Sequence, residues 1–271
     1  MLAPAIVARA VNLMGALPIS VLLPTYNCIS SIRDTLQSIS WADEILVVDS
    51  YSTDDTLEIC REFNARIIQH EYINSAKQKN WAVSQCSHEW VLQIDSDEVL
   101  EPGLREEIEI AVATAPPEVH AFRMPRKNFI LGRWMRFGGL YPDYQTRLLR
   151  RDQGRWMERE VHAHVMVPGK VRALQKHILH NGMPHISKQL GNLDRYTRYE
   201  ADEMHKQGKR FHWHHLVIRP WLVFLYHYLW LQGFRDGWRG FVTCAYLSTY
   251  TFLARAKLWE MGELRLERSP H

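Results

Sequence analysis

The chain has 271 residues, of which 46% are hydrophobic and four are cysteines. That length buries one large core, or one catalytic domain with a smaller helical appendage, and excludes a disordered tail or a disulfide-stapled miniprotein. The formal net charge of +3 hides an asymmetry: residues 1–122 carry 7 Lys and Arg against 18 Asp and Glu, whereas residues 123–271 carry 26 against 12. Residues 1–17 form an N-terminal extension whose broken apolar run lacks the charged start and continuous middle of a secretory signal, and which is expected to lie against a membrane. Ile19–Leu23 reads as a buried strand broken by Pro24-Thr25-Tyr26-Asn27, and Ile29, Ile32, Leu36 and Ile39 then follow helical spacing. Glu44–Val48 is a second strand ending at Asp49. After a polar turn, Asp55–Phe63 reads as a helix that Thr53 or Asp54 can cap. A short strand at Arg66–His70, a helix at Asn74–Cys86 and a strand at Trp90–Ile94 lead into Asp95-Ser96-Asp97.

This alternation of strands and helices predicts βαβ units and a mostly parallel sheet, with polar residues gathered at the C-terminal strand ends, where ligands sit in open sheets. A helix over Pro102–Ala115 closes the unit. Strands are expected around Ala121–Met124 and Thr146–Arg150, and a charged helix at Asn192–Gln207. Two apolar runs, Leu216–Leu231 and Phe241–Ala254, fall short of the roughly 20 residues a spanning helix needs. Trp221, Trp230 and Trp238 with flanking arginines suit an interfacial position instead. The four cysteines are far apart and show no CxxC pairing, which fits a reducing compartment.

Asp95-Ser96-Asp97 directly after an apolar strand carries the strongest chemical signal. Two carboxylates one residue apart can hold a hard divalent cation that bridges nucleotide phosphates. Asp49 ends a neighbouring strand, where a carboxylate can accept hydrogen bonds from a base or ribose. Four segments in order, Leu23–Asn27, Val47–Asp54, Ala76–Asn80 and Asp95–Glu98, resemble the family 2 inverting glycosyltransferases of GT-A fold, over about residues 18–180. The stretches Gly138–Leu148 and Gly233–Gly237 are most similar to the bacterial lipopolysaccharide-core glucosyltransferase branch.

The resemblance implies an α/β GT-A domain at 18–185 with a mostly parallel central sheet, followed by a membrane-associating helical region at 186–271. It implies that Thr25, Asn27 and Asp49 line the base and ribose site, that Asp95 lies close to the nucleotide, and that Asp97 is the principal ligand of Mg²⁺ or Mn²⁺. His180 resembles a late histidine that supplies a further metal ligand. Lys77 can neutralise phosphate charge, and Arg147, with Arg150 and Arg151, can receive a diphosphate or a phosphorylated acceptor. Inverting transfer needs a general base, and Asp143, Glu160 and His162 are the candidates. Related sequences often read Val-His-Glu where this chain has Val161-His162-Ala163, so the matching glutamate is absent.

The implied activity is transfer of a sugar from a nucleoside diphosphate donor, UDP-hexose first among them, to a lipid-linked or lipopolysaccharide-core saccharide. The implied setting is peripheral, at the cytoplasmic face of the inner membrane, against anionic lipid and with no nucleic acid partner. Two alternatives stand beside it: transfer to a polyprenyl phosphate, and a non-catalytic nucleotide-sugar-binding module.

Overall fold

A computed structural model describes residues 17–158 and 164–268. The expected N-terminal extension and two candidate bases, Glu160 and His162, lie outside the described residues. The chain divides into two compact units. One takes the chain through Lys127, Asp143–Glu158 and 164–180, and the other takes Asn128–Pro142 and the chain from Asn181 onward.

The first unit is built on a parallel sheet. Its strands are β1 (Ile19–Thr25), β2 (Glu44–Asp49), β3 (Arg66–Gln69) and β4 (Trp90–Gln93), in the spatial order β3-β2-β1-β4. The register sets Thr25 opposite Asp49, so the polar strand ends meet at one edge. Alternation along β1 sorts the core onto two faces. Val21 and Leu23 pack with α1 (Ile32–Ile39), α2 (Thr56–Glu62) and α4 (Leu104–Ala113), while Leu22 packs with Ala76, Ala82 and Val83 of α3 (Ser75–Val83).

The sheet continues past β4 with antiparallel strands. After the short β5 (Glu98–Leu100) come β6 (Val119–Ile130), β7 (Arg133–Trp134) and β8 (Asp143–Arg150), and β8 inserts between β4 and β6. A two-stranded ribbon of β9 (Arg155–Trp156) and β10 (Val165–Met166) follows, then β11 (Lys170–Ala173) and β12 (Ile178–Met183). The strand expected over 121–124 is thus twelve residues long, and β12 pairs with β5 so that His180 stands opposite Glu98.

The second unit is mostly helical: α5 (Ile186–Lys206), α6 (Trp213–Leu225), a π-helical turn at Tyr226–Trp230, a 3₁₀ turn at Gly233–Asp236, and α7 (Gly237–Arg268). Ala201 and Met204 of α5 pack on Ala254 and Leu258 of α7. The 3₁₀ turn lies so close to α7 that a Cβ on Gly240 would stand 1.9 Å from the Gly233 carbonyl oxygen. That approach explains the glycines at both positions. The first apolar run forms a helix that continues through Pro220 and gives way to the π turn at Tyr226, and among the described residues no helix is long and apolar enough to cross a membrane.

Candidate active site

The loops after β1 and β2 are laced together at the sheet edge. The Thr25 hydroxyl donates to Asp49 Oδ1 at 3.0 Å, and the Ser52 amide donates to Asp49 Oδ2 at 2.8 Å. Ser52 Oγ and Gln69 Nε2 also donate to Asp49, at 2.5 and 3.2 Å. Asp49 is fully buried and draws on four donors, so its oxygens are satisfied without water. Asn27 adopts φ 45° and Tyr51 φ 61°, both in the left-handed region. The Asn27 amide donates to Ser52 Oγ at 2.9 Å while its Oδ1 accepts from the Thr53 amide at 2.8 Å. Asp54 accepts from the Thr56 amide at 3.1 Å, opening α2 as its sequence position suggests. Tyr26 and Tyr51 are exposed beside these residues and offer rings on which a planar base can stack.

The Asp95-Ser96-Asp97-Glu98 turn splits its three carboxylates between two environments. Asp95 Oδ1 accepts from Lys79 Nζ at 3.0 Å and Gln93 Nε2 at 2.8 Å, and its Oδ2 accepts from Arg147 at 2.7 Å. Burial opposes ionisation of Asp95, but Arg147 and Lys79 outweigh it and hold the carboxyl well below the usual carboxylate range. Glu98 is fully buried; it accepts from Arg147 at 2.5 Å, from Arg126 at 3.0 Å and, through its other oxygen, from the Asp95 amide at 3.1 Å. Arg147 also donates to the Gln93 side chain. Burial works against its charge, yet the Asp95 and Glu98 carboxylates raise its pKa above the ordinary arginine value. Asp97 differs from Asp95 in pairing more than in exposure: their side chains are 40% and 35% exposed, and Asp97 has His180 Nε2 at 3.7 Å where Asp95 has Arg147 and Lys79.

The ion-pair chain ends at Asp143. Its Oδ2 accepts from Arg126 Nε at 2.8 Å, and its Oδ1 accepts from Gln145 at 2.6 Å. To act as a base, Asp143 would take the acceptor hydroxyl on a lone pair beside these donors. Lys79, Asp95, Arg126, Arg147, Trp156 and His164 are among the residues lining a cavity of about 240 Å³. Asn80 fixes one wall by exchanging two 2.8 Å hydrogen bonds with the Trp156 backbone.

The lysine that reaches the carboxylates is Lys79, which is buried, whereas Lys77 is exposed. Two residues along a helix turn a side chain through about 200°, so only one of the pair can face the sheet. Lys79, Glu98 and Arg126 were not among the residues expected from sequence. Glu98 adjoins the acidic pair and Lys79 sits inside the Ala76–Asn80 segment, but helical phase and strand pairing are needed to aim them.

A divalent cation with nucleotide phosphates fits part of this arrangement. Asp97 and His180 offer an oxygen and a nitrogen donor side by side. Among the described residues no group of three or more His, Cys, Asp or Glu side chains is placed to hold a metal alone. Two protein donors with phosphate and water completing the shell is the way Mg²⁺ is commonly bound in nucleotide enzymes.

The model of the family described as glycosyl transferase family 2 matches residues 20–166, more than half of the chain. The chain belongs to glycosyl transferase family 2. Among its relatives in that family is the lipopolysaccharide core biosynthesis glycosyltransferase LpsC of Rhizobium meliloti (strain 1021), 28% identical over 256 residues, 92% of this chain and 94% of that protein. The uncharacterized glycosyltransferase RT0209 of Rickettsia typhi is 28% identical over 81% of this chain and 79% of its own length. Among solved structures, glucosyl-3-phosphoglycerate synthase from Mycobacterium tuberculosis, in complex with Mn²⁺, UDP and glucosyl-3-phosphoglycerate, matches at a TM-score of 0.47. It has 18% identity and covers 75% of this chain and 84% of that one. The family 2 glycosyltransferases are enzymes, so membership sets aside the non-catalytic binding module.

Proposed function

We propose that this family 2 enzyme moves a hexose with inversion from a nucleoside diphosphate sugar, UDP-hexose first among candidates, to a lipopolysaccharide-core or other lipid-linked saccharide, and that the reaction depends on Mg²⁺ or Mn²⁺. The observation that carries the reading is the division within Asp95-Ser96-Asp97: Asp95 is locked to Arg147 and Lys79, while Asp97 stands open beside His180. A bound cation would neutralise the diphosphate and stabilise its departure. Asp97 and His180 would hold it. Thr25, Asn27 and Asp49 line the base and ribose site, with Tyr26 and Tyr51 as stacking surfaces. Asp95 and Arg147 keep the floor of the site rigid, and Lys79 and Arg126 place positive charge around the cavity.

The general base comes from Asp143, Glu160 or His162. The similarity to LpsC along nearly the full length of both chains supports a lipopolysaccharide-core acceptor. Peripheral attachment at the cytoplasmic face of the inner membrane is supported by the exposed tryptophans of the second unit, and a reducing setting by four free, buried cysteines.

The deciding experiment is donor turnover with a panel of uridine- and guanosine-diphosphate sugars, with and without Mg²⁺ or Mn²⁺, for wild type and Asp97→Ala. The expected result is metal-dependent release of one nucleoside diphosphate that the variant loses. Turnover unaffected by chelation, or by Asp97→Ala, would remove the metal role.

A further inference from the structure

The second unit holds a cleft lined by none of the residues of the site described above. It has a volume of about 320 Å³ and is lined by Arg133, Trp134, Arg136, Phe137, Arg235 and Asp236. Three arginines converge here from two chain segments, and all three are exposed. Among the described residues none of their guanidinium groups is paired with a carboxylate. The one acid in the cleft is committed elsewhere: Asp236 is buried, and its Oδ2 accepts from the backbone amides of Arg136 at 3.0 Å and Phe137 at 2.9 Å. It shapes the loop and leaves the guanidinium groups available.

Two of the arginines are held by aromatic faces. Arg136 lies 4.4 Å from the Trp134 ring centroid and Arg235 lies 4.2 Å from that of Phe137. Stacking fixes a guanidinium plane while leaving its N–H edges free, the geometry that suits a tetrahedral oxyanion. Arg235 is further tethered through a 2.8 Å hydrogen bond to Gln232 Oε1.

The cleft adjoins exposed aromatic surface. Phe234, next to Arg235 in the same 3₁₀ turn, lies 6.2 Å from Tyr228 between ring centroids; Tyr228 in turn lies 5.8 Å from Phe241, and Phe241 lies 5.9 Å from Trp238. Trp230 and Trp238 expose 77% and 83% of their surface. Large aromatic rings standing in water beside unpaired arginines are costly for a protein that meets only solvent, and match the boundary between lipid headgroups and acyl chains.

We infer that this cleft binds the phosphate of an anionic membrane lipid, with Arg133, Arg136 and Arg235 on the phosphate oxygens and Phe234, Trp238 and Phe241 in the interface beside it. The inference rests on the membrane part of the proposed function and names the residues that perform it.

The test is sedimentation of the full chain with phosphatidylcholine vesicles, with and without phosphatidic acid, for wild type, R133Q/R136Q/R235Q and Trp238→Ala. Because the three arginines are exposed, the triple variant should keep the wild-type melting curve. Each arginine lost should weaken binding to the phosphatidic acid vesicles roughly fivefold, and the three together on the order of a hundredfold, with little change on phosphatidylcholine alone. Trp238→Ala should weaken binding to both. Undiminished binding by the triple variant, or equal wild-type binding to both vesicle types, would overturn the phosphate cleft while leaving membrane attachment in place. Release from the vesicles by an equal concentration of glycerol 3-phosphate would overturn the lipid assignment in favour of a free phosphate ligand. Failure of wild type to bind either vesicle would remove the membrane reading and the cleft assignment together, without touching donor turnover.

Discussion

Asp97 and Glu98 are adjacent carboxylates with opposite expected behaviour. Glu98→Gln removes the charge that faces Arg147 at 2.5 Å and Arg126 at 3.0 Å, in a position with no solvent exposure. Removing one partner of a buried ion pair costs about 3–5 kcal/mol when the remaining charge is stranded away from water, but here Arg147 keeps Asp95 and Arg126 keeps Asp143. Glutamine retains one oxygen for a single guanidinium, which places the expected loss near the lower end, about 3 kcal/mol. For a chain of this size that lowers the midpoint of thermal unfolding by roughly 6–12 °C. Asp97→Asn changes a side chain that is 40% exposed and touches His180 only at 3.7 Å, so its stability should stay within about 0.5 kcal/mol of wild type. Its cost should fall on turnover, on the order of a hundredfold or more, as for removal of one electrostatic stabiliser of a developing charge. Circular dichroism melting beside donor turnover reads both. If Asp97→Asn melts as low as Glu98→Gln, or if Glu98→Gln melts with wild type, the division between an open and a locked carboxylate is wrong.

Lys79→Met should destabilise the protein by leaving Asp95 one cation short, and Lys77→Met should not; urea midpoints of the two variants decide it, and equal values would contradict the burial of Lys79. Asp236→Ala should cost about 1–3 kcal/mol by stranding the amides of Arg136 and Phe137, measured as a shift in the urea midpoint. Acid should weaken the fold through Glu44 and Glu101. Burial favours their neutral forms, but Ser20, Ser87 and Arg66 around Glu44, and Lys127 and His177 around Glu101, win and bring both pKa values down to about 2. With folded values below the ordinary 4.5, their contribution is complete above about pH 4.5 and is lost as pH falls towards 2. Urea midpoints that do not change between pH 5 and pH 3 would refute this.

The parallel half of the sheet was legible because its strands are short apolar runs that end in polar residues, and Thr25, Asp49 and Asp95 announce those ends. The antiparallel half was harder to read. Its strand β6 runs through Arg123, Pro125, Arg126 and Lys127, which carry no apolar alternation, because several of these side chains go to ion pairs and not to a core face. Sequence supplies the presence of a helix around Ala76–Asn80 but not its rotational phase against the sheet, so it does not show that Lys79 reaches the carboxylates while Lys77 is exposed. Glu98 was passed over for a related reason. A third acid after a DxD reads as one more solvated carboxylate until Arg126 and Arg147, distant in sequence, are seen to close on it.

The charge split along the chain has a different meaning in three dimensions than in sequence. Part of the cationic half pairs with the anionic half. Arg126 and Arg147 pair with Glu98, Arg147 with Asp95, Lys127 with Glu101, and Arg150 with Glu89, all within the first unit. Among the cations outside these pairs, the arginines at 133, 136 and 235 are gathered around one cleft. Opposite charges placed far apart in the sequence draw β8 and β6 onto the strand that ends at the acidic turn, and so assemble the floor of the active site. The same excess of arginine leaves an unpaired remainder in the second unit. One compositional bias thus serves two ends: its paired fraction holds Asp95 and Glu98 in place beside Asp97, and the three arginines of the cleft are free for an anion.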